Sequence, residues 1–242
     1  MTEPRLDQDR IPTHVGLILD GNGRWAEQRD LPRTAGHAAG EAALFATIES
    51  ARELGVSWLS AYTFSTENWS RSDDEVEFLM LFNEDLLLRR RGELHAKGTR
   101  IYFAGDMDDT RIPERNRARM VETEAMTAAN QGMRLVFAFN YGGRVEITEA
   151  ARRLGRLIRN GELDPEQIDA KAVAGQLYVP DMPDVDLVIR TSGEMRLSNF
   201  LLWQAAYAEF VFPEVLWPDF DREHLVRALA EYQRRKRRFG TA

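Results

Sequence analysis

The chain is expected to fold as a single α/β domain, a mainly parallel six-stranded sheet flanked by helices. Three observations predict this. Six short apolar, β-rich runs recur along the sequence, separated by helical patterns long enough to make crossover connections between parallel strands. No Pro/Gly/Ser-rich linker, low-complexity tract or internal repeat interrupts the alternation. A chain of 242 residues, 43% of them hydrophobic, can bury one full core undivided.

Residues 1–12 are charged and read as a flexible N-terminal arm ahead of a domain spanning 13–242. The run 14–19 is apolar on both faces, as a buried parallel strand should be, and Asp20 stands where it ends. A helix over 36–54 is marked by Leu44, Ile48 and Ala51 and stopped by Gly55. A strand at 57–63 follows; its alternation sets Ala61 and Thr63 on one face and Tyr62 and Phe64 on the other. The spacing then predicts a long helix over 72–96 ending at Gly98, a strand at 100–104, and a helix over 113–129 opened by Pro113. A strand at 134–139, a helix over 144–159, strands at 186–189 and 209–212, and a helix over 223–238 complete the set.

Thirty-two basic against 39 acidic residues give a net charge of −7, which argues against a nucleic-acid partner. Lys97, Lys171 and Lys236 are the lysines, so nearly every cation is Arg, the side chain that grips phosphate with two parallel N–H groups. The absence of cysteine excludes disulfides, thiolate metal sites and Cys nucleophiles. The first dozen residues lack the apolar core of a secretory signal, and no run approaches the length of a membrane span, so a soluble protein of the reducing cytoplasm is expected.

In open parallel sheets, ligands bind beyond the carboxyl ends of strands, so polar clusters should follow several strands. They do. Asp20-Gly-Asn-Gly-Arg-Trp25 combines a carboxylate for a hard cation, two glycines that let backbone N–H groups approach an anion, and an arginine. Phe64-Ser-Thr-Glu-Asn-Trp-Ser-Arg71 follows the second strand and Asn140-Tyr-Gly-Gly-Arg144 the fourth. After the fifth, Arg190, Ser192, Arg196 and Ser198 gather around Gly193 at a spacing that can surround one phosphate. His37 can meet a phosphate at a helix N-terminus or be an ordinary first-turn histidine. Trp25, Trp69 and Phe64 can wall a hydrocarbon or simply belong to the core.

The run Asp73-Asp-Glu-Val-Glu77 is better explained as helix capping by Ser72 and Glu75 than as an aspartate-rich diphosphate box, and 106–109 reads as a turn. There is no Walker lysine motif, dinucleotide fingerprint or nucleophile elbow, and His14, His37, His95 and His224 form no zinc spacing.

Taken together, His14-Val-Gly-Leu-Ile-Leu-Asp-Gly-Asn-Gly-Arg-Trp25, Phe64-Ser-Thr-Glu-Asn-Trp69 with Arg71, Asn140-Tyr-Gly-Gly-Arg144 and the run from Asp186 through Arg190-Thr-Ser-Gly-Glu-Met-Arg-Leu-Ser-Asn199 to Trp203 resemble the cis-prenyltransferases, undecaprenyl and decaprenyl diphosphate synthases above all. The resemblance implies a homodimer with a hydrophobic tunnel beneath the active-site rim. It implies successive condensation of isopentenyl diphosphate onto an allylic diphosphate with each new double bond cis, making a lipid carrier for cell-wall glycans. By position, Asp20 is the metal-linked aspartate, joined by Glu209 around Mg²⁺. Gly21, Asn22, Gly23 and Arg24, with Trp25, Arg33, His37 and Arg71, would hold the allylic substrate; Arg190, Arg196, Leu197 and Ser198 would hold isopentenyl diphosphate. Ser65, Thr66 and Glu67 belong to the same substrate-binding stretch, and Asn68 and Trp69 would lie over the reacting carbons. Arg238-Phe-Gly240 resembles a tail that reaches the neighbouring subunit. Where some members carry histidine this chain has Met195, and a thioether is a poor Mg²⁺ ligand. The expected setting is the cytoplasm, with peripheral contact at the inner face of the plasma membrane open for product release. Two rival readings are a shorter-chain cis synthase and a noncatalytic partner subunit.

Overall fold

The computed structural model describes residues 4–235, apart from the side chains of Phe82, Asn83, Leu86 and Leu87; the Arg238-Phe-Gly240 tail lies outside the described residues. Six strands, β1 His14–Ile18, β2 Trp58–Ser65, β3 Arg100–Ala104, β4 Arg134–Tyr141, β5 Leu187–Arg190 and β6 Glu209–Val211, form one sheet in the order β3-β4-β2-β1-β5-β6. Every pairing is parallel, as the crossover spacing predicts. The chain leaves β1 toward β2 on one side and leaves β5 toward β6 on the other, so a topological switch point, where such sheets open a crevice, falls between β1 and β5.

The helices are α1 Asn22–Glu27, α2 Arg33–Glu53, α3 Asp73–Ala96, α4 Glu114–Thr127, α5 Gly143–Arg159, α6 Ala170–Ala174 and α7 Arg222–Arg234. Both faces of the sheet are covered, which is why the central strands read as continuous apolar runs. On one face Leu17, Leu59, Ala61, Phe137 and Ile189 share a core with Leu44 and Ile48 of α2, Met80 of α3, Met120 of α4 and Leu229 of α7. On the other, Ile18, Trp58, Val136 and Val188 pack with Tyr141, Val179, Phe200 and Leu201.

Three local expectations are revised. The pairing of β2 with β4 slips after Tyr62: Tyr62 lies opposite Ala138 and Phe64 opposite Phe139, leaving Thr63 as an extra residue. Phe64 consequently turns to the Ala61 face and joins its core cluster instead of sharing a face with Tyr62. Ser72 caps α3 without a side-chain bond, and Glu75 pairs with Arg71 at 2.5 Å; the capping box forms one loop earlier, between Ser65 and Asn68. Within the expected arm, Gln8–Arg10 make a helical turn, and Asp7 exchanges hydrogen bonds with Gln233 of α7.

Candidate active site

At the switch point, Asp20 follows β1 and Arg190 ends β5. The Arg190 side chain, 5% exposed, donates from Nη2 to Asp20 Oδ2 at 2.8 Å and from Nη1 to Ser198 Oγ at 2.7 Å and the Arg196 carbonyl at 2.5 Å. One buried guanidinium thus fixes the carboxylate and the far side of the 191–199 loop together. The Thr191 hydroxyl holds the Asp20 backbone, accepting from its N–H at 3.0 Å and donating to its carbonyl at 2.6 Å. Arg24 completes the clamp, reaching Ser192 Oγ at 2.6 Å, Asp20 Oδ1 at 3.4 Å and Glu194 at 3.5 Å.

Gly21 adopts φ +111°, a conformation that L side chains rarely take, and starts α1 directly after Asp20. A Cβ at Gly36 would fall 2.0 Å from the Asn22 carbonyl, so a glycine there is what lets α1 lie against α2. This packing draws Asn22, Gly23, Arg24, Arg33, His37 and Arg71 around a polar cavity of about 210 Å³ above Asp20. A second cavity, about 140 Å³, shares Leu19, Asn22, His37 and Arg71 with the first and continues past Leu44, Thr63, Asn68, Leu79 and Trp217. The two are a charged chamber and a more apolar one with a common wall. His37 Nε2 and Asn22 Oδ1 are buried there without partners. Burial above all, then the Arg71 and Arg33 charges, push the His37 imidazole below its usual range, with Glu75 opposing. It is therefore neutral at neutral pH.

The predicted residues divide. Asp20, Gly21, Asn22, Gly23, Arg24, Arg33, His37 and Arg71 converge on the polar cavity, and Asn68 reaches the second, less polar one. Arg190 and Ser198 meet Asp20 from β5, whereas the Arg196 side chain is 58% exposed and paired with Glu194, and Leu197 packs into the core behind the loop. Trp25 lines neither cavity: its indole donates to Asp219 at 2.7 Å beneath the Arg29 guanidinium. Trp69 likewise packs edge-on against Phe64 and donates to Asn140 Oδ1 at 2.7 Å, making it a wall of the core. Ser65, Thr66 and Glu67 bond among themselves and to Asn68 and Asn199.

Within one chain Glu209 lies apart from Asp20. Glu209 opens β6 level with Leu187, three residues below Arg190, and so sits about 10 Å or more under the rim on the sheet's amino side. It pairs there with Arg235 at 2.9 Å. In the 140–144 cluster the N–H groups of Gly143 and Arg144 are taken by the Asn199 carbonyl and Oδ1. Sequence reasoning missed Thr191, Trp217 and Asn199. A threonine beside a strand-end arginine was the one readable signal among them.

The family described as "Putative undecaprenyl diphosphate synthase" matches residues 18–240. A trans,polycis-polyprenyl diphosphate synthase from Thermobifida fusca, described as (2Z,6E)-farnesyl diphosphate specific, is 55% identical over 99% of this chain and 84% of its own length. An isoprenyl transferase 2 from Corynebacterium glutamicum is 51% identical over 99% of this chain and 98% of its own. Among solved structures, lavandulyl diphosphate synthase from Lavandula x intermedia, in complex with dimethylallyl diphosphate, superposes with a TM-score of 0.92 at 37% identity, covering 96% of this chain and 99% of that one. A probable undecaprenyl diphosphate synthase from Campylobacter jejuni gives 0.77 at 30% identity, covering 95% and 99%. A six-stranded parallel sheet with an arginine-clamped aspartate at its switch point, matched over nearly its whole length by these proteins, places this chain in the undecaprenyl diphosphate synthase family of cis-prenyltransferases.

Proposed function

We propose that the protein condenses isopentenyl diphosphate onto an allylic diphosphate, repeatedly and with cis geometry, to make a polyprenyl diphosphate that serves cell-wall synthesis as a lipid carrier. The observation that carries this reading is the pair of joined cavities, one charged and one more apolar, sharing Leu19, Asn22, His37 and Arg71. A ligand with a diphosphate head and a hydrocarbon tail fits such a pair head to chamber and tail to chamber. Arg33, Arg71, His37 and the Gly21–Gly23 backbone would hold the allylic head. Arg190, Arg196 and Ser198 would hold isopentenyl diphosphate, with Arg196 leaving Glu194 to do so.

Mg²⁺ binds through one or two carboxylates, substrate phosphate oxygens and water. Among the described residues no group of three or more metal-binding side chains converges, so a cage built by protein alone is absent, whereas Asp20 beside a diphosphate chamber fits that donor set. Bound there, the ion would neutralise charge growing on the departing diphosphate. The arginines add fixed positive charge at the same place, and the shared cavity wall aligns the two reacting carbons, replacing a bimolecular search. Asn68 accepts the Ser65 N–H at 2.8 Å and is too weak a base to remove the final proton; the released diphosphate or a water suits that step better.

A homodimer is part of the reading, supported by the short edge strand β6 with the stacked, partly exposed Phe210 and Phe212 beside it. So is a cytoplasmic setting with peripheral contact at the inner membrane face. No helix among the described residues is long and apolar enough to cross a membrane. A second reading, a short-chain synthase, is favoured by the small size of the more apolar cavity. Incubating the purified chain with labelled isopentenyl diphosphate, several allylic primers and Mg²⁺, then sizing the dephosphorylated product, separates these readings; no product from any primer points instead to a noncatalytic partner. Thr63 lines the more apolar cavity. Thr63→Leu adds bulk there, so the product ladder should shift to shorter chains while the first condensations persist. A ladder that overlays wild type from a folded variant would remove Thr63 from the chain's path.

A further inference from the structure

Three loops of the carboxyl rim meet at Asn199, whose neighbour Ser198 is bonded to Arg190. Asn199 has φ +66°, and every polar atom it carries beyond its own N–H is engaged with another loop. Its carbonyl accepts the Gly143 N–H at 2.7 Å and its Oδ1 accepts the Arg144 N–H at 2.9 Å, so it caps α5 from outside. Its Nδ2 donates to Glu67 Oε1 at 2.9 Å. A Cβ at Gly142 would lie 2.7 Å from Thr66 Oγ1 and 2.8 Å from Asn199 Nδ2, so a side chain there would displace both.

The Glu67 carboxylate is held ionised. Partial burial would raise its proton affinity, but hydrogen bonds from Asn199, its own backbone, Thr66 and Ser65 outweigh that and keep it below the usual range. As an acceptor-only group it can face an amide directly, but a second carboxylate or a diphosphate only across a cation. Through Glu67 the junction reaches the turn that carries Asn68 and Arg71; through Ser198 it reaches Arg190 and so Asp20.

We infer that Asn199, through its bond to Glu67, is a positioning residue that sets the loop proposed to hold isopentenyl diphosphate against the turn proposed to hold the allylic primer. Glu67 in this account braces the site and touches no substrate. The inference rests on the proposed condensation.

Asn199→Asp tests it with little change of shape. The aspartate keeps the oxygen that caps α5, where a negative charge is favourable, but turns the Glu67 contact into one between like charges. We expect the KM for isopentenyl diphosphate to rise about tenfold or more, with primer affinity changed less than threefold and the melting temperature nearly unchanged. Adding Glu67→Gln restores a donor–acceptor pair, with the glutamine amide now donating. In a double-mutant cycle, Asn199→Asp should cost at least five-fold less in the Glu67→Gln background than in wild type. A bare through-space charge effect would fade at 0.5 M salt, where the Debye length is only about 4 Å; the cycle should keep its sign there.

An Asn199→Asp enzyme with wild-type KM, additive effects in the cycle, or a coupling that vanishes in salt would each overturn the inference. Failure of the wild type itself to turn over would instead overturn the condensation reading, so the two failures are distinguishable.

Discussion

The two ends of the same parallel sheet are built in opposite ways. At the amino end, His14 is wholly buried and both ring nitrogens are bonded: Nδ1 donates to the Pro183 carbonyl at 2.8 Å, which leaves Nε2 to accept from the Ser60 hydroxyl at 2.7 Å. Asp186 accepts the Thr13 and His14 N–H groups. Around β1 these groups all have partners, while at the head of β3 the buried Thr99 hydroxyl has none. The carboxyl end, on the same strands, leaves His37 Nε2 and Asn22 Oδ1 buried without one, and it holds Asn140, Ser192, Ser198, Asn199 and Leu201 at positive φ. Positive-φ residues gather at the carboxyl rim, where a ligand can offset strain, whereas His14 and Asp186 tie the amino ends of the strands together.

Removing the carboxylate at the open end should have the largest effect. Asp20→Ala is expected to cut kcat by more than a hundredfold, and retention of over a tenth of wild-type activity at saturating Mg²⁺ would break the contrast between the ends. The fold should feel it too, because Arg190 would keep a buried charge with one partner fewer; Asp20→Asn, which leaves a hydrogen-bond acceptor, should melt closer to wild type.

At the closed end the sensitive quantity is stability. Burial pushes the His14 pKa down from 6.5 to about 4, against smaller opposing effects of the Pro183 carbonyl and Asp186. Above pH 6.5 neither folded nor unfolded chain protonates this ring, and the full stability is present. As pH falls from 6.5 toward 4 only the unfolded chain takes the proton, so stability should drop by about 3 kcal/mol through this group. Urea titrations should show up to one proton more of pH slope in wild type than in His14→Gln, and equal slopes would refute the assignment.

Arg196→Ala should raise the KM for isopentenyl diphosphate about tenfold with a smaller effect on the primer, as one charge-assisted contact is lost. A rise confined to the primer would reverse the allocation of the two diphosphates. The smallest effect is expected at His37. A bound diphosphate raises the pKa of this neutral ring, so binding takes up a proton and the primer should bind a few-fold tighter at pH 6 than at pH 8. His37→Asn should remove that difference; an unchanged pH profile would place the diphosphate elsewhere.

The closed end and the sheet were legible in the sequence because burial on both faces writes itself as uninterrupted apolar runs, and all six strands lie where those runs are. Helix α1 was not, since Asp20-Gly-Asn-Gly23 reads as a turn and its helical start depends on Gly36 admitting it from a distant helix. The charge-bearing half of the site was readable from Asp20, Arg24, Arg71 and Arg190, whose types and strand-end positions state their chemistry. Side chains that join loops were not: the bonds of Trp25 to Asp219, Trp69 to Asn140 and Asn199 to Glu67 appear only in the fold. The place of Glu209 was not legible either, because strand register decides which end of β6 faces the rim and a single chain's sequence does not display register.

Thr63 is the unpaired residue of the β2 bulge and also lines the more apolar cavity. Along a regular ladder, a change of side-chain size propagates to the residues opposite and to the layer beneath. At Thr63 the ladder has already stepped aside, so a substitution there costs the sheet one side-chain bond, to the Ala138 carbonyl of β4 at 3.2 Å, and otherwise falls on the cavity. On the proposed reading, in which this chamber takes the hydrocarbon, its capacity can change in small steps while the architecture stands still.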